Sequence, residues 1–317
     1  MNRLTPLGAP GMCWAERPGD GPTLVLLHGI GSWSGGFAPL LAHLPPDLRV
    51  IAWDTPGYGG SDPLDGDWPM PGEYAVALER WLAHLGVEAA VLAGHSLGAL
   101  IAGAYAARFE GRIARLVLAA PALGHGMPQG GPLSDAARAR IEDLERLGPA
   151  RFAAARASRL IHAPQAHPDL VASVEAGMAR VRLPGYAHAA RMLASGRLLE
   201  DLARVTIPID ILFGAEDQIT PPDTARAAHA ALALPQRGRL TGIPAAGHAL
   251  ATQAPEAFAA SLLAAHADTA QPGAAVGDRA DTTAVGDQAA KPAVGDRAAK
   301  TANPADPANS ADSVARE

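Results

Sequence analysis

Between residues 10 and 268 the chain alternates short apolar runs with longer segments whose apolar residues recur every three or four positions. Six runs are bounded by turn residues: TLVLLHG (23–29), RVIAWD (49–54), AAVLAG (89–94), RLVLAAP (115–121), IDILFG (209–214) and GRLTGI (238–243). Strands that are apolar at nearly every position are buried on both faces, as in a parallel sheet between two helical layers. The segments GEYAVALERWLAHLG (72–86), SLGALIAGAYAARF (96–109), PPDTARAAHAALAL (221–234) and PEAFAASLLAAHA (255–267) carry helical periodicity, and Gly86 stands where a helix C-cap belongs. The repetition predicts an α/β fold, a mostly parallel sheet flanked by helices on both faces.

Residues 122–202 break this rhythm. They hold no strand pattern but four helical ones, at 134–148, 149–163, 167–181 and 185–202, with Ser134 as an N-cap for the first. A helical insertion between two parallel strands is expected over the strands' C-terminal edge, where open α/β sheets bind ligands. The ten arginines of this interval are mostly interleaved with Asp and Glu, the pattern of a solvated outer face. The expected organisation is therefore a core of residues 1–121 and 203–268, a helical cap of 122–202, and a tail of 269–317. From Gln271 onward there is no Leu, Ile, Met, Phe, Tyr or Trp, and AVGDRADTT (275), AVGDQAAKP (284) and AVGDRAAKT (293) repeat every nine residues. Such a segment lacks the apolar surface to offset its ordering entropy and is expected to be disordered.

Composition removes several function classes. The formal net charge is −6 with no basic stripe, which points away from nucleic acid and anionic membrane surfaces. Cys13 is the single cysteine, so an internal disulfide framework and a multi-cysteine zinc site are excluded, and no metal or other cofactor is expected. The uncharged stretch from Ala89 to Ala107 is long enough to cross a bilayer, but Gly94, His95, Ser96 and Gly98 interrupt it, and a buried strand, a sharp turn and a buried helix account for it better. The N-terminus has no apolar run of the secretory kind, which gives a cytoplasmic expectation.

The interruption is where chemistry is expected. Gly94-His95-Ser96-Leu97-Gly98 fits G-x-S-x-G between a strand and a helix pattern, the setting in which a serine is exposed on a strained turn at a helix N-terminus. A serine hydroxyl needs a base, and that base an orienting acid. His248, in PAAGHAL directly after the last strand pattern, is the best base, because most other histidines fall within or beside helical segments. Asp217, in FGAEDQITPP, is the best acid, with Glu216 its nearest rival and Asp210 the next. The backbone amides of Ile30, in HGIG, and of Leu97 are the expected pair of oxyanion donors.

With these parts in place, the chain resembles the α/β-hydrolase superfamily over about residues 10–268. HGIG, WDTPGYGGSD (53–62), GHSLG, GAEDQITPP and GHALATQAPEAF (247–258) occur in the family's order, as do Ser96, Asp217 and His248. The resemblance implies structural roles for Asp54 and Ser61, a cap that shapes the pocket, and Trp33 as a possible pocket wall. A serine at 96 is unlike the aspartate nucleophile of haloalkane dehalogenases and epoxide hydrolases. His95 and Ala249 stand where meta-cleavage C–C hydrolases usually have Asn and Trp. The expected function is a serine hydrolase of the carboxylesterase or enol-lactone hydrolase kind, cleaving a small ester or lactone through an acyl-enzyme. The alternatives are a C–C bond hydrolase of a dienone acid and a ligand-binding protein that has lost catalysis.

Overall fold

The structure is a computed structural model and describes residues 3–269; the expected disorder and the repeats of the tail lie outside the described residues. Eight strands form one sheet: β1 (Thr5–Ala9), β2 (Met12–Arg17), β3 (Thr23–Leu27), β4 (Arg49–Asp54), β5 (Ala90–His95), β6 (Ile113–Ala119), β7 (Ile209–Gly214) and β8 (Arg237–Ile243). Their order is β1-β2-β4-β3-β5-β6-β7-β8, and the six strands from β3 to β8 are parallel. The six predicted strands are all present. The first two strands were not visible as a pattern: β1 is an exposed edge strand carrying Pro6, and β2 pairs antiparallel with β4, so neither has a continuous apolar run.

Alternate strand residues feed two separate cores. Val25, Leu27, Ile51, Trp53, Leu92 and Leu116 meet Tyr74, Leu78 and Trp81 of α1 (Pro71–His84) and Ile101 and Tyr105 of α2 (Leu97–Ala106). Leu24, Leu26, Val50, Val91 and Val117 meet Phe37 and Leu40 of a 3-10 helix (Ser34–His43) and residues of the C-terminal helices on the opposite face. Period-two side chains with both faces covered explain why these strands read as uninterrupted apolar runs. Helix α1 ends as expected at Gly86, where the amides of Gly86 and Val87 donate to the carbonyls of Ala83 and Leu82 in a Schellman arrangement. The 89–107 stretch is β5, a turn and α2, and among the described residues no helix is long and apolar enough to cross a membrane.

Between β6 and β7 lie only helices among the described residues: α3 (Asp135–Ala154), a 3-10 turn (Ala157–Leu160), α4 (Pro168–Met178), α5 (Gly185–Ser195) and α6 (Leu198–Leu202). Ser134 caps α3 as expected, its Oγ accepting from the Ala137 amide. The first two predicted helices run together across a kink at Gly148-Pro149, and the fourth divides at Gly196. The PGYGGSD turn is where this helical interval docks. Arg182 donates to the Ser61 carbonyl at 2.8 Å, and Gly57 packs directly on Gly185 at the start of α5. After β7 come α7 (Pro222–Ala230), α8 (Leu250–Gln253) and α9 (Pro255–Thr269), which completes the helical layers.

Candidate active site

Because β3 to β8 run in one direction, the loops leaving β3, β5, β7 and β8 emerge on one edge of the sheet, and every expected site residue lies on one of them. Ser96 sits between β5 and α2 with φ 54° and ψ −112°, a strained conformation for a residue with a side chain. Its flanking glycines are fixed by close approach: a Cβ on Gly94 would stand 2.4 Å from the Gly98 carbonyl oxygen, and one on Gly98 would stand 2.4 Å from that of Leu27. The Ser96 amide donates to Ala119 on the neighbouring strand at 2.9 Å, which holds the turn to the sheet.

Asp217 and His248 meet. His248 Nδ1 lies 2.8 Å from Asp217 Oδ2, and both residues are buried. The other carboxylate oxygen accepts from the amides of Ile219 (2.7 Å) and Thr220 (3.0 Å), and Thr220 Oγ1 lies 2.8 Å from Oδ2. Burial alone would raise the Asp217 pKa, but His248 and these two amides outweigh it and hold the carboxyl below its ordinary value. Glu216 is exposed. Asp210 is engaged elsewhere, gripped by Arg115 through two bonds of 2.6 and 2.8 Å inside the sheet. Neither rival touches His248.

No hydrogen bond joins Ser96 Oγ to His248 among the described residues; the two are connected through His95, which sequence reasoning had not assigned. The His95 Nε2–H donates to the His248 carbonyl at 2.8 Å, and the two rings lie 4.9 Å apart. Burial and the neighbouring His248 bring the His95 pKa down to about 3, so its ring is neutral at ordinary pH. One side chain thus ties the residue before Ser96 to the loop of His248.

The loop after β3 is equally constrained. Buried His28 donates from Nδ1 to the Gly29 carbonyl at 2.9 Å and accepts at Nε2 from the Thr55 amide at 3.3 Å, so a single neutral tautomer satisfies both bonds. The first bond fixes the peptide plane whose other side is the Ile30 N–H. Tyr58 Oη donates to the Ile30 carbonyl at 2.5 Å and fixes the next plane. Among the described residues neither the Ile30 nor the Leu97 amide has a hydrogen-bond acceptor. Asp54 and Ser61 support this loop from below, Asp54 accepting from the Ser34 amide and Ser61 Oγ donating to the Asp54 carbonyl.

Gln253 lies inside the GHALATQAPEAF motif, but no signal in the sequence assigned it a role. Its Oε1 accepts from the amides of Gly247 and His162, and its Nε2 donates to the His162 carbonyl, each at 2.9 Å. The Ala249 amide donates to the Leu160 carbonyl at 3.0 Å. The loop of His248 is therefore clamped to backbone of the helical interval. Trp33 lines a cavity of about 420 Å3 together with His95, Arg180 and Ala249. No group of three or more potential metal ligands is found among the described residues.

Comparison with known proteins agrees with this architecture. The pimeloyl-[acyl-carrier protein] methyl ester esterase of Chromobacterium violaceum is 31% identical over 217 residues, which are 67% of this chain and 83% of that protein. The 1-acylglycerol-3-phosphate O-acyltransferase ABHD5 of Sus scrofa is 33% identical over 118 residues, and the match spans 36% of this chain and only 33% of that relative's length. A thermophilic esterase from Thermogutta terrifontis superposes with a TM-score of 0.71 and 25% identity over 84% of this chain and 98% of its own. The description of the alpha/beta hydrolase family matches residues 24–261, most of the described chain, and this protein belongs to that family.

Proposed function

We propose that this chain is a serine hydrolase that cleaves a small carboxylic ester or lactone through an acyl-enzyme. The observation that carries the reading is the 2.8 Å contact between Asp217 Oδ2 and His248 Nδ1 on the loops beside a strained Ser96 turn. An ionised Asp217 accepts a hydrogen bond from Nδ1–H, which keeps the proton on Nδ1 and leaves the Nε2 lone pair of His248 as the base. Ser96 Oγ attacks the ester carbonyl as Nε2 takes its proton. The oxyanion that forms is held by the amides of Ile30 and Leu97, with the N-terminus of α2 adding its positive dipole. His248 then protonates the departing alcohol oxygen, water adds to the acyl-enzyme with His248 again as base, and the acid leaves Ser96. The esterases among the relatives support the same bond type.

A fluorophosphonate probe with a panel of p-nitrophenyl esters and lactones tests this reading. The probe is expected to label Ser96, and Ser96→Ala to abolish both labelling and turnover. Labelling that survives the substitution overturns the assignment.

A further inference from the structure

The cavity beside the site has a wall built from neighbours of the proposed reacting groups. His95 precedes Ser96, Ala249 follows His248 and Gly31 follows Ile30, and all three line it. Ser96, His248 and Ile30 themselves are not among its lining residues, so the cavity adjoins the proposed reacting groups through their chain neighbours. The far wall comes from α4 and the residues after it, where the Arg180 guanidinium carbon lies over the Trp33 ring, 3.9 Å from its centroid.

Of the ten arginines of the helical interval, Arg180 alone lines this cavity. Arg138, Arg146, Arg156 and Arg197 each pair with a carboxylate, as expected of a solvated face. Among the described residues Arg180 has no carboxylate within ion-pair distance. Stacking on the indole uses the face of the guanidinium and orients its edge, whose N–H groups match the two oxygens of a carboxylate. The chain's formal charge of −6 gives an anion no long-range attraction, so recognition of one falls to local contacts.

We infer that Arg180 is the anion anchor of the substrate site, and that the substrate is an ester or lactone whose acyl part ends in a second, ionised carboxylate. The inference rests on the hydrolase reading above. The methylene chain between the two ends lies along Trp33 and the apolar wall, while Arg180 holds the free acid.

Monomethyl glutarate and dimethyl glutarate share a skeleton and differ in that charge. The wild-type enzyme is expected to favour the monoester in kcat/KM by about tenfold, the worth of one charge-assisted contact at a partly solvated site. Arg180→Met removes the preference, Arg180→Lys retains part of it, and added salt reduces it in the wild type and in Arg180→Lys. Free glutarate is expected to slow fluorophosphonate labelling of the wild type and not of Arg180→Met, a readout that needs no turnover of either ester. Equal use of the two esters, or a preference that survives Arg180→Met, overturns this inference and leaves the hydrolase reading standing. Absence of both hydrolysis and labelling overturns the hydrolase reading, and this inference with it.

Discussion

Asp217 and Glu216 are adjacent in sequence, yet only one of them has its carboxylate inside the molecule and on His248. Asp217→Asn offers His248 an amide in place of the carboxylate and favours the wrong imidazole tautomer. A loss of roughly 10⁴ in kcat is expected, the scale of this change in a Ser-His-Asp triad. Glu216→Gln, in solvent, should leave kcat near the wild-type value, and steady-state kinetics on one p-nitrophenyl ester checks both. The reverse pattern transfers the role to Glu216. The serine, histidine and aspartate were legible because each sits in a short motif directly after a strand. His28, Tyr58, Thr220 and Gln253 lie in short motifs too, but their roles were not legible, because they act on atoms the sequence does not display. Tyr58 reaches the carbonyl of Ile30, and Gln253 the backbone of His162, at separations of 28 and 91 residues.

At the scale of elements, a strand is legible when both its faces are buried and illegible when its pairing does the work. The six parallel strands announced themselves; the β1–β2 pair, held by antiparallel hydrogen bonds at an exposed edge, did not. The 3-10 helix at Ser34–His43 was also missed, since Gly35, Gly36 and Pro39 read as loop residues. The docking of α5 on the PGYGGSD turn depends on contact between two backbones. Gly57 has φ 85°, and a Cβ there would stand 2.4 Å from Gly185 Cα, whereas Gly66, with φ 77°, has nothing within 4 Å of such an atom. Both Gly→Ala changes strain the backbone by about 1–2 kcal/mol, but Gly57→Ala must also separate the two segments, for a total of about 3 kcal/mol or more. Urea unfolding of the two variants checks this; equal losses would show that the close approach contributes nothing.

The whole molecule carries several histidines that resist protonation. Burial lowers the pKa of His28, His95, His188 and His266 from the ordinary 6.5, in the case of His95 to about 3. The unfolded chain takes up protons at these sites as pH falls through about 6.5 while the folded protein does not, so their contribution is fully present above that pH and is lost progressively below it. For His95 the slope is about 1.4 kcal/mol per pH unit between its two pKa values. Asp217 is the opposite case: its depressed pKa adds stability at neutral pH that is lost only as pH falls below its ordinary 3.8. Urea unfolding free energies are expected to be level from pH 7 to 8 and to fall between pH 6 and 5. His95→Gln, which keeps a donor for the His248 carbonyl, should make that fall shallower by about one proton; an unchanged slope would remove His95 from this account. The Gln253 clamp has a consequence at the same scale. Since the backbone at 160–162 steadies the loop of His248, the segment inserted between β6 and β7 is no interchangeable accessory. Replacing that insert changes the wall of the cavity that Trp33 lines and also withdraws a support of the His248 loop. On the function proposed above, a change of insert is expected to be felt in turnover as well as in choice of substrate.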